Sequence, residues 1–332
     1  LYENGSYVFT EINWGGIDPP KVHLARKIII GDYDNDGDPD FYSANLGLDI
    51  PPYSGEFNSF IINNYNIDET LGYKVHEFAN GAHEASSADV DNDGDLDVFS
   101  KGSRENSPQN GYTSKFFENQ GAFNFPIWTD RMQPENGDNF WYWNSTYQSE
   151  LVDVDQDGYI DLLVMGHEWD YYYDSCQDNA DGNCGRGKIY WGDEDAKFSE
   201  DRKSLIPILR NFGTATDFDV VDLDGDGVNE IIVSRTGGDI DSFPIESSNM
   251  NDNIGTSNFY GGHYIQINKL DSDRNIIDFS DQLIESNYDN SPNLFCSNPE
   301  TGWFIQTRVE DYEGDGTLNI FNSLVSHKVQ HI

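Results

Sequence analysis

Apolar positions in this chain come in short runs between polar stretches rich in Gly, Asn, Asp and Ser, and segments of helical period are scarce. Runs rich in branched and aromatic residues, bounded by turn-forming residues, read as β-strands. They recur in a fixed order. A first strand leads into an acidic loop (Lys27–Gly31, Ser86–Val90, Glu150–Val154, Asp217–Val221, Phe304–Val309), and a second leaves it (Phe41–Tyr42, Val98–Phe99, Leu162–Val164, Ile231–Val233, Ile320–Phe321). A third follows a variable loop (Phe60–Asn63, Lys115–Asn119, Lys188–Trp191, Tyr264–Asn268), and a fourth closes the unit (Lys74–Phe78, Ile127–Arg131, Phe198–Arg202, Ile276–Phe279). The fifth unit stops early, after Leu318–Leu324 and His327–Ile332, whereas an orphan strand, Tyr7–Ile12, precedes the first loop. The expected class is all-β.

The acidic loops share a nine-residue pattern. Oxygen-bearing side chains stand at positions 1, 3, 5 and 9: Asp32, Asp34, Asp36 and Asp40; Asp89, Asp91, Asp93 and Asp97; Asp153, Asp155, Asp157 and Asp161; Asp222, Asp224, Asp226 and Glu230; Asp311, Glu313, Asp315 and Asn319. A glycine at position 6 permits a tight turn, and position 7 (Asp38, Asp95, Tyr159, Val228, Thr317) offers its main-chain carbonyl. Hard oxygen donors on such a loop suit Ca²⁺, which takes six to eight oxygens at roughly 2.3–2.6 Å. A lone Asp-rich loop would read as a solvated turn, but five in one phase point to about five Ca²⁺ sites, the fifth the weakest for want of carboxylates. An EF-hand needs a bidentate Glu at position 12 and flanking helices. Here position 12 is Ser43, Ser100, Val164, Val233 or Asn322, and a strand follows each loop, so EF-hands are rejected.

Loop starts at residues 32, 89, 153, 222 and 311 are 57, 64, 69 and 89 residues apart, a spacing that fits four-stranded propeller blades with insertions. The expectation is one domain over residues 1–332: five blades, each with a metal loop in its first hairpin. Tyr7–Ile12 would close the ring by completing the last blade, or complete a blade of a neighbouring molecule. The repeated Asp-x-Asp-x-Asp-Gly-x-x-Asp followed by an apolar strand resembles the FG-GAP/VCBS repeat family, which includes the integrin α-subunit propeller and many secreted bacterial propellers. That resemblance implies calcium-binding blades and is nearly silent on activity; the family often has seven blades, against five counted here.

The chain of 332 residues carries a net charge of −41, and 21 of its 60 acids lie in the five loops. Five Ca²⁺ would leave about −31, so metal alone does not neutralise it. So acidic a chain is disfavoured on nucleic acid or an anionic membrane, and no apolar run approaches the roughly 20 residues of a membrane span. The loops call for abundant Ca²⁺, hence an extracellular or cell-surface location. The chain opens at Leu1 on polar sequence without a signal peptide, as a processed secreted chain would. Cys176 and Cys184 bracket a polar loop, and a disulfide there would contribute about 2.5 kcal/mol; Cys296 remains as a small apolar residue.

Loops between first and second strands lie on one face of a propeller, so all metal loops share that face. On the opposite face two aromatic clusters converge: Phe140, Trp141, Tyr142 and Trp143 before the third unit, and His167, Trp169, Tyr171, Tyr172 and Tyr173 within it. With Asp138, Asn139, Asn144, Asp170 and Asp174 around them, these rings suit a glycan or a surface protein. Alternatively Trp141, Trp143 and Trp169 plug the spaces between blades. Residues 237–262, with Phe243, Phe259, Tyr260 and the following His263, offer a second lobe or a bare polar loop. The leading function is a binding or adhesion module, with a self-assembling structural subunit and a polysaccharide lyase as alternatives. The lyase would draw on His83, Arg104, Tyr112, His167 and His263. Catalysis has little support: the chain has no nucleophile elbow or phosphate loop.

Overall fold

The structure is a computed structural model, and it describes residues 2–3, 6–7, 21–47, 55–64, 70–79, 81–102, 114–127, 132–133, 146–166, 187–199, 201–207, 214–236, 263–283 and 303–325. Among the described residues there are no helices; the strands form several small sheets, nearly all antiparallel. The chain divides into two compact units, Leu1–Thr129 and Asp130–Ile332.

In the first unit, β1 (Tyr2–Glu3) and β2 (Ser6–Tyr7) form a hairpin pairing Tyr2 with Tyr7. The intervening Asn4-Gly5 is the strongest two-residue hairpin sequence. The expected strand Tyr7–Ile12 is therefore not seen to join the last sheet: its first residue pairs locally, and residues 8–12 lie outside the described residues. A four-stranded sheet follows, ordered β3 (Ala25–Gly31), β4 (Asp40–Asn45), β5 (Phe57–Asn64) and β6 (Thr70–Ala79). The next sheet has three strands, β7 (Ala82–Ala88), β8 (Asp97–Gly102) and β9 (Lys115–Phe117).

Of the fourth strand expected at Ile127–Arg131, Ile127 pairs with Phe117 in an antiparallel bridge, and residues 128–131 lie outside the described residues. After β9 the chain turns back on itself, with positive φ at Gly121, Ala122 and Phe123. This drops Phe123 and Phe125 into the core beside Tyr33, Tyr42, Phe60, Val98 and Phe117. Phe60 is the hub, stacked on Phe125 at 4.5 Å and edge-on to Tyr33, Tyr42 and Phe123. The opposite face of β3 leaves Ile28 and Ile30 exposed, at 53% and 64%.

In the second unit, β10 (Met132–Gln133) precedes a four-stranded sheet of β11 (Thr146–Val152), β12 (Asp161–Gly166), β13 (Lys188–Tyr190) and, beyond β14 (Phe198–Ser199), β15 (Lys203–Leu205). The fourth strand is thus Lys203–Leu205, later than the expected Phe198–Arg202; Phe198 and Ser199 pair in parallel with β10 instead. The cause is a tight turn on Asp193, whose Oδ1 accepts the amides of Asp195 and Lys197 while Arg202 Nη1 pairs with its Oδ2 at 2.5 Å. That loop takes up the residues that would have continued the strand.

The following sheet is complete: β16 (Thr214–Val221), β17 (Glu230–Thr236), β18 (His263–Leu270) and β19 (Ile276–Leu283). The last, β20 (Trp303–Glu310) with β21 (Asn319–Val325), has two described strands. The apolar runs of β12 and β17 are continuous rather than alternating because both faces are covered. Ile231 and Val233 join Val154, Leu163, Met165, Trp191 and Phe218 in one core, while Ile232 faces a second with Ile265 and Val309.

Phe60→Ala should lower the stability of the first unit by about 3–5 kcal/mol, since a buried aromatic hub leaves a cavity, whereas Ile30→Ser should change it by less than about 0.5 kcal/mol. Urea unfolding followed by near-ultraviolet circular dichroism measures both.

Candidate metal centres

Each acidic loop is tied by its own backbone. The position-1 carboxylate accepts two amides: Asp32 takes Asp36 N and Gly37 N at 3.1 and 2.9 Å, and Asp89 takes Asp93 N and Gly94 N, both at 3.0 Å. Asp153 takes Asp157 N and Gly158 N at 3.0 and 2.9 Å, and Asp311 takes Asp315 N and Gly316 N at 3.0 and 2.7 Å. Loop four varies, with Asp222 receiving Gly225 N and Gly227 N. The position-5 Oδ1 then accepts the position-7 amide, as from Asp95 N to Asp93 at 3.0 Å. These bonds turn each chain inward and gather its carboxylates, but they do nothing for the charge.

Two positive-φ residues make the turn, one of which the motif did not reveal. Besides the glycine at position 6 (Gly94, φ 96), position 4 is left-handed throughout: Asn35, Asn92, Gln156, Gly225 and Gly314. Asn and Gly tolerate that region best, so position 4 was recognisable as Asn, Asn, Gln, Gly, Gly. Its side chain also laces neighbouring loops. Asn35 Nδ2 donates to Gly94 O at 3.4 Å and bonds Asp95, and Gln156 Nε2 donates to Asn229 Oδ1 at 3.1 Å.

The position-9 acid does more than the sequence reading gave it. Asp40, Asp97, Asp161 and Glu230 are buried at the start of the second strand. One oxygen of each accepts the amide of position 2: Tyr33, Val90, Val154 and Leu223, at 2.8–3.2 Å. In the first three, the other oxygen takes an amide just past or within the third strand: Asn63, Asn119 and Gly192, each at 2.8 Å. One carboxylate thus fastens the metal loop to strands on both sides. At Gly192 the approach is so close that a Cβ would stand 2.2 Å from Ile160 O. Burial pushes these acids up, Asp40 to about 6 and Asp97 and Asp161 each to about 7, against the backbone amides that favour the charge.

In four loops three carboxylates bring oxygens within 4.8 Å of one another: Asp32, Asp34 and Asp36; Asp89, Asp91 and Asp93; Asp153, Asp155 and Asp161; Asp222, Asp224 and Glu230. The donor set fits a hard divalent cation: it is all oxygen, and buried Glu230 Oε1 makes no hydrogen bond, its contact being the ion pair with Lys269 Nζ at 3.5 Å. Asp38, Asp95, Tyr159 and Val228 hold position 7, where the backbone carbonyl would add a donor. The fifth loop is folded in the same way, yet Asp311, Glu313 and Asp315 stay exposed and do not gather, and Asn319 has replaced the buried acid. Thr317 N bonds Asp315 as in the other loops.

The aromatic residues Trp141, Tyr142, Trp143, His167, Trp169, Tyr171, Tyr172 and Tyr173 and the cysteines Cys176 and Cys184 lie outside the described residues, as do Arg104, Tyr112 and residues 237–262. His83 is half-buried on β7, and His263 opens β18.

Loop three, the strands after it and loop four form one continuous stretch ending in β17, and this is the stretch that known families identify. Residues 153–233 carry an FG-GAP-like repeat. The FG-GAP-like repeat runs from Asp153, which opens loop three, to Val233 in the core of β17, so its two ends are two successive acidic hairpins. No curated protein matches the chain. Among solved structures, the crystal structure of the V. cholerae biofilm matrix protein Bap1 aligns with 13% identity and a TM-score of 0.30, over 79% of this chain and 40% of that one. The chain therefore spans less than half the length of that protein.

Because burial raises Asp40, Asp97 and Asp161 above the ordinary carboxylate value of about 3.9, their contribution to metal-free stability is complete below that value and lost as pH rises through about 6–7. In EDTA the urea midpoint should fall between pH 4 and pH 7. Asp161→Asn should flatten part of that slope and cost about 1–3 kcal/mol through the amide left facing an N–H. A midpoint independent of pH in EDTA would contradict the assignment.

Proposed function

We propose that the chain is an extracellular, calcium-stapled β-module that works by adhesion, and that its sheets are the blades of a single propeller domain over residues 1–332. The gathering of three carboxylates in each of four repeated loops carries the calcium reading. A loop holding so many acids within a few ångströms repels itself unless a cation of high charge lies among them. The FG-GAP-like repeat at 153–233 supports an extracellular adhesion-type role. Within each unit, first strands pack on first strands, β3 on β7, β11 on β16 and β16 on β20, as the inner strands of neighbouring blades would. At the last of these steps Thr307 N and Val309 N donate to Asp217 and Asp219, both at 2.8 Å, so carboxylates of one sheet satisfy the edge of the next.

The partner is a glycan or a surface protein. Trp141, Trp143 and Trp169 would supply flat apolar contact and Asp138, Asn139, Asn144 and Asp170 the polar rim. The metal loops then act at a distance, by fixing the hairpins from which those loops depart. A glycan array probed with wild type, Trp141→Ala and Trp169→Ala, in calcium and in EDTA, tests this. Binding by wild type in calcium, its loss in EDTA and a loss of about tenfold or more in each variant are expected, since a stacked aromatic anchor carries at least 1–2 kcal/mol. Equal binding by all three proteins would remove the aromatic loops from the site.

A further inference from the structure

Within each unit, successive acidic loops are tied together by side chains that stand between ligating positions without ligating themselves. In the first unit the tie is Asn35, at position 4 of loop one, between Asp34 and Asp36. Its Nδ2 donates to Gly94 O at 3.4 Å and to Asp95 Oδ1, at positions 6 and 7 of loop two. The peptide unit whose oxygen Asn35 holds gives its N–H, that of Asp95, to Asp93 Oδ1 at 3.0 Å. One peptide thus joins the turn of loop one to a clustered carboxylate of loop two.

In the second unit the tie runs through Asn229, at position 8 of loop four, between Val228 and Glu230. Its Nδ2 donates to Asp153 O at 3.4 Å and to Val154 O at 3.2 Å. Its Oδ1 accepts Gln156 Nε2, from position 4 of loop three, at 3.1 Å. The peptide that carries Asp153 O gives its N–H, that of Val154, to Asp161 Oδ2 at 2.9 Å. The logic is that of the first unit: a side chain of one loop holds the carbonyl of a peptide whose amide serves a clustered acid of the other. Arg274 also grips loop three, with Nε 2.5 Å from Asp155 Oδ2, Nη2 2.6 Å from Asp157 Oδ2 and its guanidinium 4.9 Å from the centre of the Trp191 ring. That grip comes from the β18–β19 turn rather than from loop four, so it is common to every variant below.

An ion in one loop fixes the backbone on either side of the linking residue and with it the linking side chain. Asp34 and Asp36 flank Asn35; the Val228 carbonyl and Glu230 flank Asn229. The side chain then holds the neighbouring loop in the turn that its own ion requires. Part of the ordering cost of the second site is therefore met by the first. The corresponding residues between loops four and five are Gly225 and Leu318, neither of which has a side chain able to hydrogen-bond.

We propose that these ties make calcium uptake cooperative within pairs, loop one with loop two and loop three with loop four. This rests on the reading that the loops bind calcium. The coupling acts equally in both directions, so whichever loop of a pair fills first tightens the other.

The test is a calcium titration of the full chain by calorimetry after chelation. Release of bound ions into a competing chelator is the second reading, so a variant that unfolds without metal is still measured from its folded state. Asn35→Gly cuts the first tie, and Gln156→Gly with Asn229→Ala cuts the second. Glycine suits the left-handed backbone at position 4, where Gly225 and Gly314 already stand. Loop two is disabled by Asp91→Asn with Asp93→Asn, and loop four by Asp224→Asn with Asp226→Asn. Asparagine at 93, 224 and 226 keeps an oxygen for the backbone amide received there. With the ties intact, disabling one loop should remove one site and weaken a second by about fivefold or more. With the matching tie cut, it should remove one site and leave the others at the affinities of the cut protein. Disabled loops that weaken no second site, or weaken it equally after the ties are cut, would overturn the inference and leave the calcium reading intact. No calcium uptake by wild type would remove that reading and the inference with it.

Discussion

A buried acid accepting backbone amides from two sides is the contact on which each of the first three acidic hairpins depends. Asp40, Asp97 and Asp161 each reach the second residue of the loop and the chain beyond or within the third strand. A carboxylate in that position is costly to ionise, as the upward shift of all three shows. It is tolerated because it answers amides that would otherwise be buried without partners. The same acid stands at the rim of the cluster where a cation would lie, so one group couples loop shape, sheet integrity and metal. Loop five, with Asn319 there and only two described strands beside it, shows the arrangement without that coupling.

The remaining architecture answers two problems, thin sheets and excess acid. Sheets of two to four described strands cannot each enclose a core, so they share cores with neighbours: Tyr42 and Phe60 meet Val98 and Phe117, and Leu163 meets Phe218 and Val233. The central strand β17 is buried on both faces, whereas Ile28 and Ile30 on β3 are exposed. The acids are handled locally. Backbone amides take the first share, then Lys269 and Arg274 in two loops, and a divalent ion would take what is left.

The sequence was most informative where spacing alone fixes geometry. Positions 1, 3, 5, 6 and 9 repeat too regularly to be turn composition, and the apolar runs after them could only be strands, so the first two strands of every unit were readable. The third strands were readable for the same reason. The fourth strand of the third unit was not, because local turn chemistry, the Asp193 turn, overrode a plausible apolar run; of the one expected in the second unit, only Ile127 lies among the described residues. The β1–β2 hairpin was legible in the Asn4-Gly5 pair, while residues 8–12 of the strand expected at Tyr7–Ile12 lie outside the described residues. The left-handed residue at position 4 was also legible, in its Asn and Gly. The second role of position 9 was not, since it depends on which amides fold back onto it. Nor could the sequence show that Arg274, more than a hundred residues from Asp155 along the chain, would stack on Trp191 and reach loop three.

Whether a divalent ion sits among the carboxylates is the claim from which the rest follows. Anomalous diffraction from crystals grown in calcium measures it without reference to activity. The account predicts difference density between Asp89, Asp91 and Asp93, with corresponding density in loops one, three and four. Refined loops with no density at any of these positions, and only water between the acids, would contradict it.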